Sequence, residues 1–292
     1  MIRLIVGNLW RHRLIFGLVG LLIVLLSLYL SVALSVAFSV SKSLGSAVRD
    51  NLTGDAVIMD ARVESVEMIS PDSARRIELL REPQALLEFV QGHDDVQLAS
   101  TRLGASAFLR SANNVAPFML IGQSVERGAA LLPHRHLTSG QAPHSEDDIA
   151  LYYRHADMLS ANLSETLNAT IKTSDGSERD APLRLTGLYD YEDLAFYTEF
   201  VFAGFMDIDQ LRRLQGLAPD ATSELHLRLK PGRGLGPLQR DLHTRFSDGY
   251  KLVEPQDASA LVQGIHALTF VTVGGGGGAR GRARLSVVEF PD

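Results

Sequence analysis

The chain has 292 residues, 46% of them apolar, a formal charge of −6 and no cysteine. Without thiols there can be no disulfide, no thiolate metal site and no cysteine nucleophile. The acidic balance disfavours nucleic acid and anionic membrane surfaces as partners.

The first predicted element is a membrane helix over residues 14–40, from Leu14 to Val40, which contain no charged side chain. Roughly 27 helical residues rise about 40 Å, whereas a hydrocarbon core of about 30 Å needs about 20. A cleaved signal peptide has a shorter apolar core, and a soluble core helix is not expected at this length. Arg3, Arg11, His12 and Arg13 precede the run, while Lys42, Arg49 and Asp50 follow it. The positive-inside bias therefore places residues 1–13 in the cytoplasm and residues 41–256 outside. Ile2, Ile5, Leu9 and Trp10 share a helical face, as expected of a segment lying at the headgroups. Ser27, Ser31, Ser35 and Ser39 recur every four residues. In lipid, such a stripe lets helices approach closely, so it reads as a packing face rather than filler.

Residues 41–256 are predicted to form a mixed α+β domain. Removing the basic N-terminus (+3) and the C-terminal tail (+1) leaves it with a charge of about −10. A helical stalk is expected over Val40–Leu52, ending at the Thr53-Gly54-Asp55 turn, followed by strands Ala56–Met59 and Val63–Ile69. Pro83–Gln91 is helical, with Leu86, Leu87 and Val90 inward and Gly92 as its stop. Val96–Ser100, Ala105–Arg110 and Val115–Gly122 read as short strands. Ile149–Tyr153 is a strand feeding a helix over Arg154–Leu163. Strands follow at Leu167–Thr173, Leu183–Tyr189 and Phe200–Phe205, the first pair joined at Asp175-Gly176. Asp207 caps a helix that Gly216 ends. Glu224–Leu229 alternates as a strand, Leu235–Phe246 has helical spacing, and Lys251–Val253 is a last strand. Pro255 and Asp257 then open an apolar segment, residues 257–273, read as a partial second membrane helix. Residues 274–292 form a Gly/Arg-rich tail without aromatic interleaving, which reads as solvated rather than as a nucleic-acid contact.

No nucleophile elbow, zinc-protease motif or phosphate loop is present. His134, His136 and His144, with Asp147 and Asp148, have ligand chemistry but read as surface polar residues in a turn-rich segment. No metal, cofactor or catalytic residue is expected. Asp190, Glu192, Asp193 and Glu199 surround Tyr189, Tyr191, Phe196 and Tyr197. Paired carboxylates suit acid/base work, but the aromatic content favours a partner contact through Tyr189, Tyr191, Phe196 and Tyr197.

Four stretches carry a family resemblance: IRLIVGNLWRHR with the run after it, FMLIGQSVERGAALLPHRHLTSGQAPHSEDDIALYYRHADML, LRLTGLYDYEDLAFYTEFVFAGFMDIDQLRRL and SELHLRLK. In order and spacing, over residues 1 to about 270, the chain resembles the FtsX-like permease subunits of bacterial ABC transporters. These include lipoprotein-releasing and macrolide-exporting systems, with a MacB-like periplasmic core domain. The resemblance implies an inner-membrane protein with its large domain in the periplasm between the first and second of four membrane helices. It implies an ATP-binding ABC subunit, a second permease subunit or copy, and a periplasmic partner or lipoprotein substrate as partners. It implies transmission of ATP hydrolysis rather than chemistry in this chain. After Val273 the pattern departs, which reads as a truncated, frameshifted or accessory form. The alternative is a single-pass anchored periplasmic binding or sensor domain; an anchored hydrolase is a distant third.

Overall fold

The structure, a computed structural model, describes residues 13–63, 78–132, 135–191 and 202–254. The interfacial segment, the strand expected at Val63–Ile69, the apolar segment 257–273 and the tail fall wholly or mostly outside the described residues.

Helix α1 (Arg13–Val48) has 36 residues and ends in a π-helical turn, Arg49–Thr53. Within it, Gly17–Val36 is long and apolar enough to cross a membrane, with a mean hydropathy of 2.5 and no buried residue. The contacts divide the chain into two units. One comprises Met1–Ala37 with Gly264–Asp292, and its described part is helical; the other, Phe38–Gln263, holds the α+β domain.

In chain order the domain carries β1 (Ala56–Asp60), α2 (Pro83–Gln91), β2 (Val96–Arg110), β3 (Val115–Gln123) and α3 (Val125–Leu131). Next come β4 (Arg135–Gly140), β5 (Asp148–Tyr152), α4 (Tyr153–Leu159), β6 (Thr166–Lys172) and β7 (Glu178–Tyr191). The last elements are β8 (Ala203–Asp207), α5 (Ile208–Gln215), β9 (Glu224–Leu229), α6 (Leu235–Phe246) and β10 (Tyr250–Val253). The sheet order is β10-β1-β9-β2-β3-β8-β5-β7-β4, and β6 pairs with both β2 and β7.

Two lobes follow from that order. In the first, β1-α2-β2 and β9-α6-β10 form an antiparallel β10-β1-β9-β2 sheet, the split βαβ arrangement. Its core joins Ile58, Leu225 and Leu227 of the sheet to Leu86 and Val90 of α2 and Leu238 and Leu242 of α6. The second lobe is inserted between β2 and β9. Its strands pair in a closed ring, β2-β3-β8-β5-β7-β6 and back to β2. Leu103, Leu109, Leu120, Leu151, Leu167 and Leu183 fill its core, joined by Ile208 and Leu211 of α5. Period-2 alternation sends the neighbouring residues to the other face. There Ile121, Ala150, Tyr152, Tyr189, Ala203 and Phe205 meet Val57 and Met59 of β1 and Ala47 from the end of α1.

The helices at Pro83–Gln91 and Leu235–Phe246 have the expected bounds. Asp207 caps α5 by accepting from the Asp209 and Gln210 amides, and Gly216 ends it at φ 68°. Three expectations are corrected. The two short strands at 96–100 and 105–110 are one, because β9 and then β3 and β6 pair with it along its length. The helix after β5 stops at Leu159 rather than Leu163, where Ser160 turns left-handed at φ 53°. Strand β7 begins at Glu178, since Glu178, Arg179 and Asp180 already pair with β6.

Candidate functional site

Where α1 enters the domain, charged side chains of the π turn, β2 and β9 gather around the buried His226. Gly54 leaves the π turn at φ 76°, a conformation glycine adopts without steric cost. A Cβ there would lie 2.4 Å from the Leu227 carbonyl oxygen, so the chain passes against β9 with no room for a side chain. The Asp55 amide donates to the Leu227 carbonyl at 2.7 Å, and the Leu229 amide donates to Asp55 Oδ2 at 2.8 Å.

Alternation places Leu225 and Leu227 of β9 in the core and turns Glu224, His226 and Arg228 to the opposite face. β9 lies between β1 and β2, and the π turn and the end of α3 lie over this face. His226 is 2% exposed. Its Nδ1 lies 3.0 Å from the Thr53 carbonyl oxygen, the last residue of the π turn, and its Nε2 lies 2.8 Å from Glu224 Oε2. Arg102 of β2 approaches the same oxygen at 4.0 Å. Arg228 donates through Nε and Nη2 to the Leu131 carbonyl at the end of α3, at 3.1 and 2.8 Å. Its Nη2 also reaches Asp50 Oδ1 at 3.5 Å, and Arg49 bridges Asp50 and Asp55 at 3.2 and 3.8 Å. Each polar residue of β9 therefore ties the strand to a neighbouring element, two of them to the π turn that ends α1.

Burial is the largest influence on His226 and pulls its imidazole below the ordinary value. The Glu224 and Thr53 hydrogen bonds work upward, and the Arg102 charge works downward. Burial alone would raise the Glu224 carboxyl; the bond from His226 and the charges of His226 and Arg102 outweigh it and leave the carboxyl below its usual range.

A second buried cation sits beside the aromatic pair Tyr189 and Phe205. Arg135 of β4 is 7% exposed, with its guanidinium 4.3 Å from the Phe205 ring centre and 5.1 Å from that of Tyr189. With the Gln123 amide oriented so that its oxygen faces the guanidinium, that oxygen accepts from Nη1 at 2.8 Å and also from Nη2.

Of the residues singled out in the sequence, Ser27, Ser31, Ser35 and Ser39 are exposed along α1. The Tyr189 ring is 9% exposed and packs edge-on to Phe205, within the protein's own core. Tyr191 ends β7 opposite Arg135, while Phe196 and Tyr197 lie outside the described residues. His134 also lies outside them, and His136 and His144 are exposed. Asp148 is tied to Arg184 at 2.8 Å and accepts from the Ser145 and His144 amides at 3.0 and 3.2 Å. Among the described residues, no group of three or more His, Cys, Asp or Glu side chains is placed to hold a metal. The residues missed in the sequence are Arg102, Glu224, His226, Arg228 and Arg135. Their one signal was three titratable side chains at alternate positions of β9, a pattern that ordinarily marks a solvated strand face.

Among solved structures, the periplasmic region of MacB from Actinobacillus actinomycetemcomitans matches with a TM-score of 0.50 and 11% identity. The match covers 75% of this chain and 95% of that one. The domain shares the MacB periplasmic fold. The extracellular domain of the ABC-type transporter YknZ from Gram-positive bacteria matches with a TM-score of 0.46 and 11% identity, over 68% of this chain and 99% of that one. No protein-family model matches the sequence, and no curated protein does. The expected mixed α+β domain after one apolar N-terminal helix is thus present, with the fold of the MacB periplasmic region.

Proposed function

We propose that this chain is a permease-type subunit, or part of one, of an ABC transporter. In this reading α1 crosses the inner membrane with its N-terminus in the cytoplasm. The α+β domain stands in the periplasm and couples ATP hydrolysis by a separate ATP-binding subunit to export or extraction of an envelope substrate. The observation that carries the reading is the pairing of β1 with β10. β1 follows α1 across the π turn, and Val57 stands opposite Val253, the last residue of β10. Paired strands lie about 4.8 Å apart. The domain therefore returns the chain beside the point where it received it, a few residues before the apolar segment 257–273. A domain set between two membrane segments requires such a return; a single-pass anchored binding or sensor domain does not. The fold shared with the MacB periplasmic region supports the same reading.

The test is affinity purification of the chain from its native membrane in mild detergent, with identification of co-purifying proteins. An ATP-binding ABC subunit in roughly equal amount is the expected result. Its absence from a folded, membrane-inserted preparation refutes the permease reading and leaves the anchored sensor domain.

A further inference from the structure

The hydrogen bonds at His226 hold one proton more than the neutral ring can supply. A backbone carbonyl only accepts, so Nδ1 must carry hydrogen to bond Thr53 at 3.0 Å. A second proton must then lie between Nε2 and Glu224 Oε2, which are 2.8 Å apart. A neutral imidazole beside a carboxylate has only one N–H, and of the two bonds the charge-assisted one to Glu224 is the stronger. When the shared proton leaves, the remaining hydrogen moves to Nε2, and the bond given up is the one to Thr53.

We propose that the His226–Glu224 pair is a proton-operated latch on the end of the membrane helix, closed when the pair holds the shared proton and released when it loses it. Charged groups stand on each neighbouring element. Glu224 and Arg228 come from its own strand, Arg102 from β2, Arg49 and Asp50 from the π turn, and Asp55 from the head of β1. In the released state His226 stays buried in β9 but lacks the Thr53 acceptor, so its ring binds the proton less well than in the closed state. Protonation thus favours closure, and a rise in pH favours release. The inference rests on the hydrogen-bond geometry and stands independently of any transport partner.

Hydrogen exchange on the full 292-residue chain in detergent micelles tests it, with rates expressed as protection factors so that intrinsic pH effects cancel. Peptides over residues 49–55 contain the Gly54 amide, bonded to Arg49, and the Asp55 amide, bonded to Leu227. Because burial pulls His226 below the ordinary imidazole value, the window runs lower: between about pH 4 and about pH 7 their protection is expected to fall roughly five-fold, the worth of one ordinary hydrogen bond, while α6 peptides hold theirs. Glu224→Gln gives the opposite result to simple loss of an ion pair. Its amide N–H donates to Nε2, leaving Nδ1–H on Thr53 without any added proton, so protection stays high at both pH values. Wild-type protection that does not change, that changes equally in α6, or an E224Q chain that loses protection as the wild type does, overturns the latch.

Discussion

Replacing Gly54 with alanine tests how tightly the end of α1 is fitted to the domain. Two costs arise. The residue sits at φ 76°, and holding an L-residue in the left-handed region costs about 1–2 kcal/mol. The new Cβ would also lie 2.4 Å from the Leu227 carbonyl oxygen, nearer than a Cβ carbon comes to a non-bonded atom, and against rigid backbone. Relief requires the turn to move off β9, which breaks the 2.7 Å bond from the Asp55 amide to that same carbonyl, worth about 1 kcal/mol. The total is about 2–4 kcal/mol once incomplete relaxation is included. Gly216→Ala is the matched control: φ is 68°, but nothing lies within 4 Å of the added Cβ, so only the backbone cost of about 1–2 kcal/mol applies. Urea unfolding of the full chain in mild detergent, followed by far-ultraviolet circular dichroism, gives both midpoints, and equal slopes make them comparable. A G54A midpoint no lower than that of G216A would refute the close approach of the turn to β9.

Two other perturbations separate local electrostatics from membrane packing. Burial works to raise Asp148, but hydrogen bonds from Ser145, Arg184 and the His144 amide hold it at about 2, below the usual 3.8. A depressed carboxylate contributes stability that is present above 3.8 and is lost as pH falls through about 2. Because the Arg184 side chain is 54% exposed, its share is discounted to about 1 kcal/mol. The wild type should therefore lose more stability than R184M between about pH 4 and about pH 2, and parallel urea curves for the two would contradict this. Changing Ser27, Ser31, Ser35 and Ser39 together to leucine should abolish co-purification of α1's helical partners while leaving the domain's unfolding midpoint in place. Undiminished co-purification would return the stripe to ordinary lipid-facing filler.

Local chemistry explains which elements were legible in the sequence. The Asp207 cap, the Gly216 stop and the Leu211 and Leu214 spacing of α5 act within one or two turns, so a window of ten residues contains them. The apolar run of α1 is similarly self-contained. The ring of strands is not: β6 joins β2 and β7, and its pairing with β2 brings Ala107 opposite Ile171, a register with no mark in either segment. Strand β4 was hidden because Arg-His-Leu-Thr-Ser-Gly has no apolar alternation, and five of its six residues are exposed at the sheet edge. The site was hidden for the opposite reason. Glu224, His226 and Arg228 alternate as a solvated strand face does, yet β9 is interior and the π turn and α3 cover that face. Tyr189 drew notice as a candidate partner contact at the end of a strand, but the strand runs on to Tyr191 and the ring lies inward against Phe205.

The end of α1 meets both lobes at once, and that follows from where the second lobe is inserted. The order β10-β1-β9-β2 places β9, which closes the insertion, between the two strands that precede it in the chain. The insertion therefore leaves from β2 and returns to β2's neighbour, so its root lies beside β1 and the π turn. Through His226 and Arg228 the turn is tied to the first lobe. Through Ala47 the same helix end packs into the cluster formed by Tyr152, Tyr189 and Phe205 on the outer face of the strand ring. One contact is polar and directional, and the other is apolar and tolerant of small shifts. A displacement of the helix end would break the directional contact first while the apolar one still held. The weak point of the junction is thus the Thr53–His226 bond, the one contact here whose existence depends on a single proton.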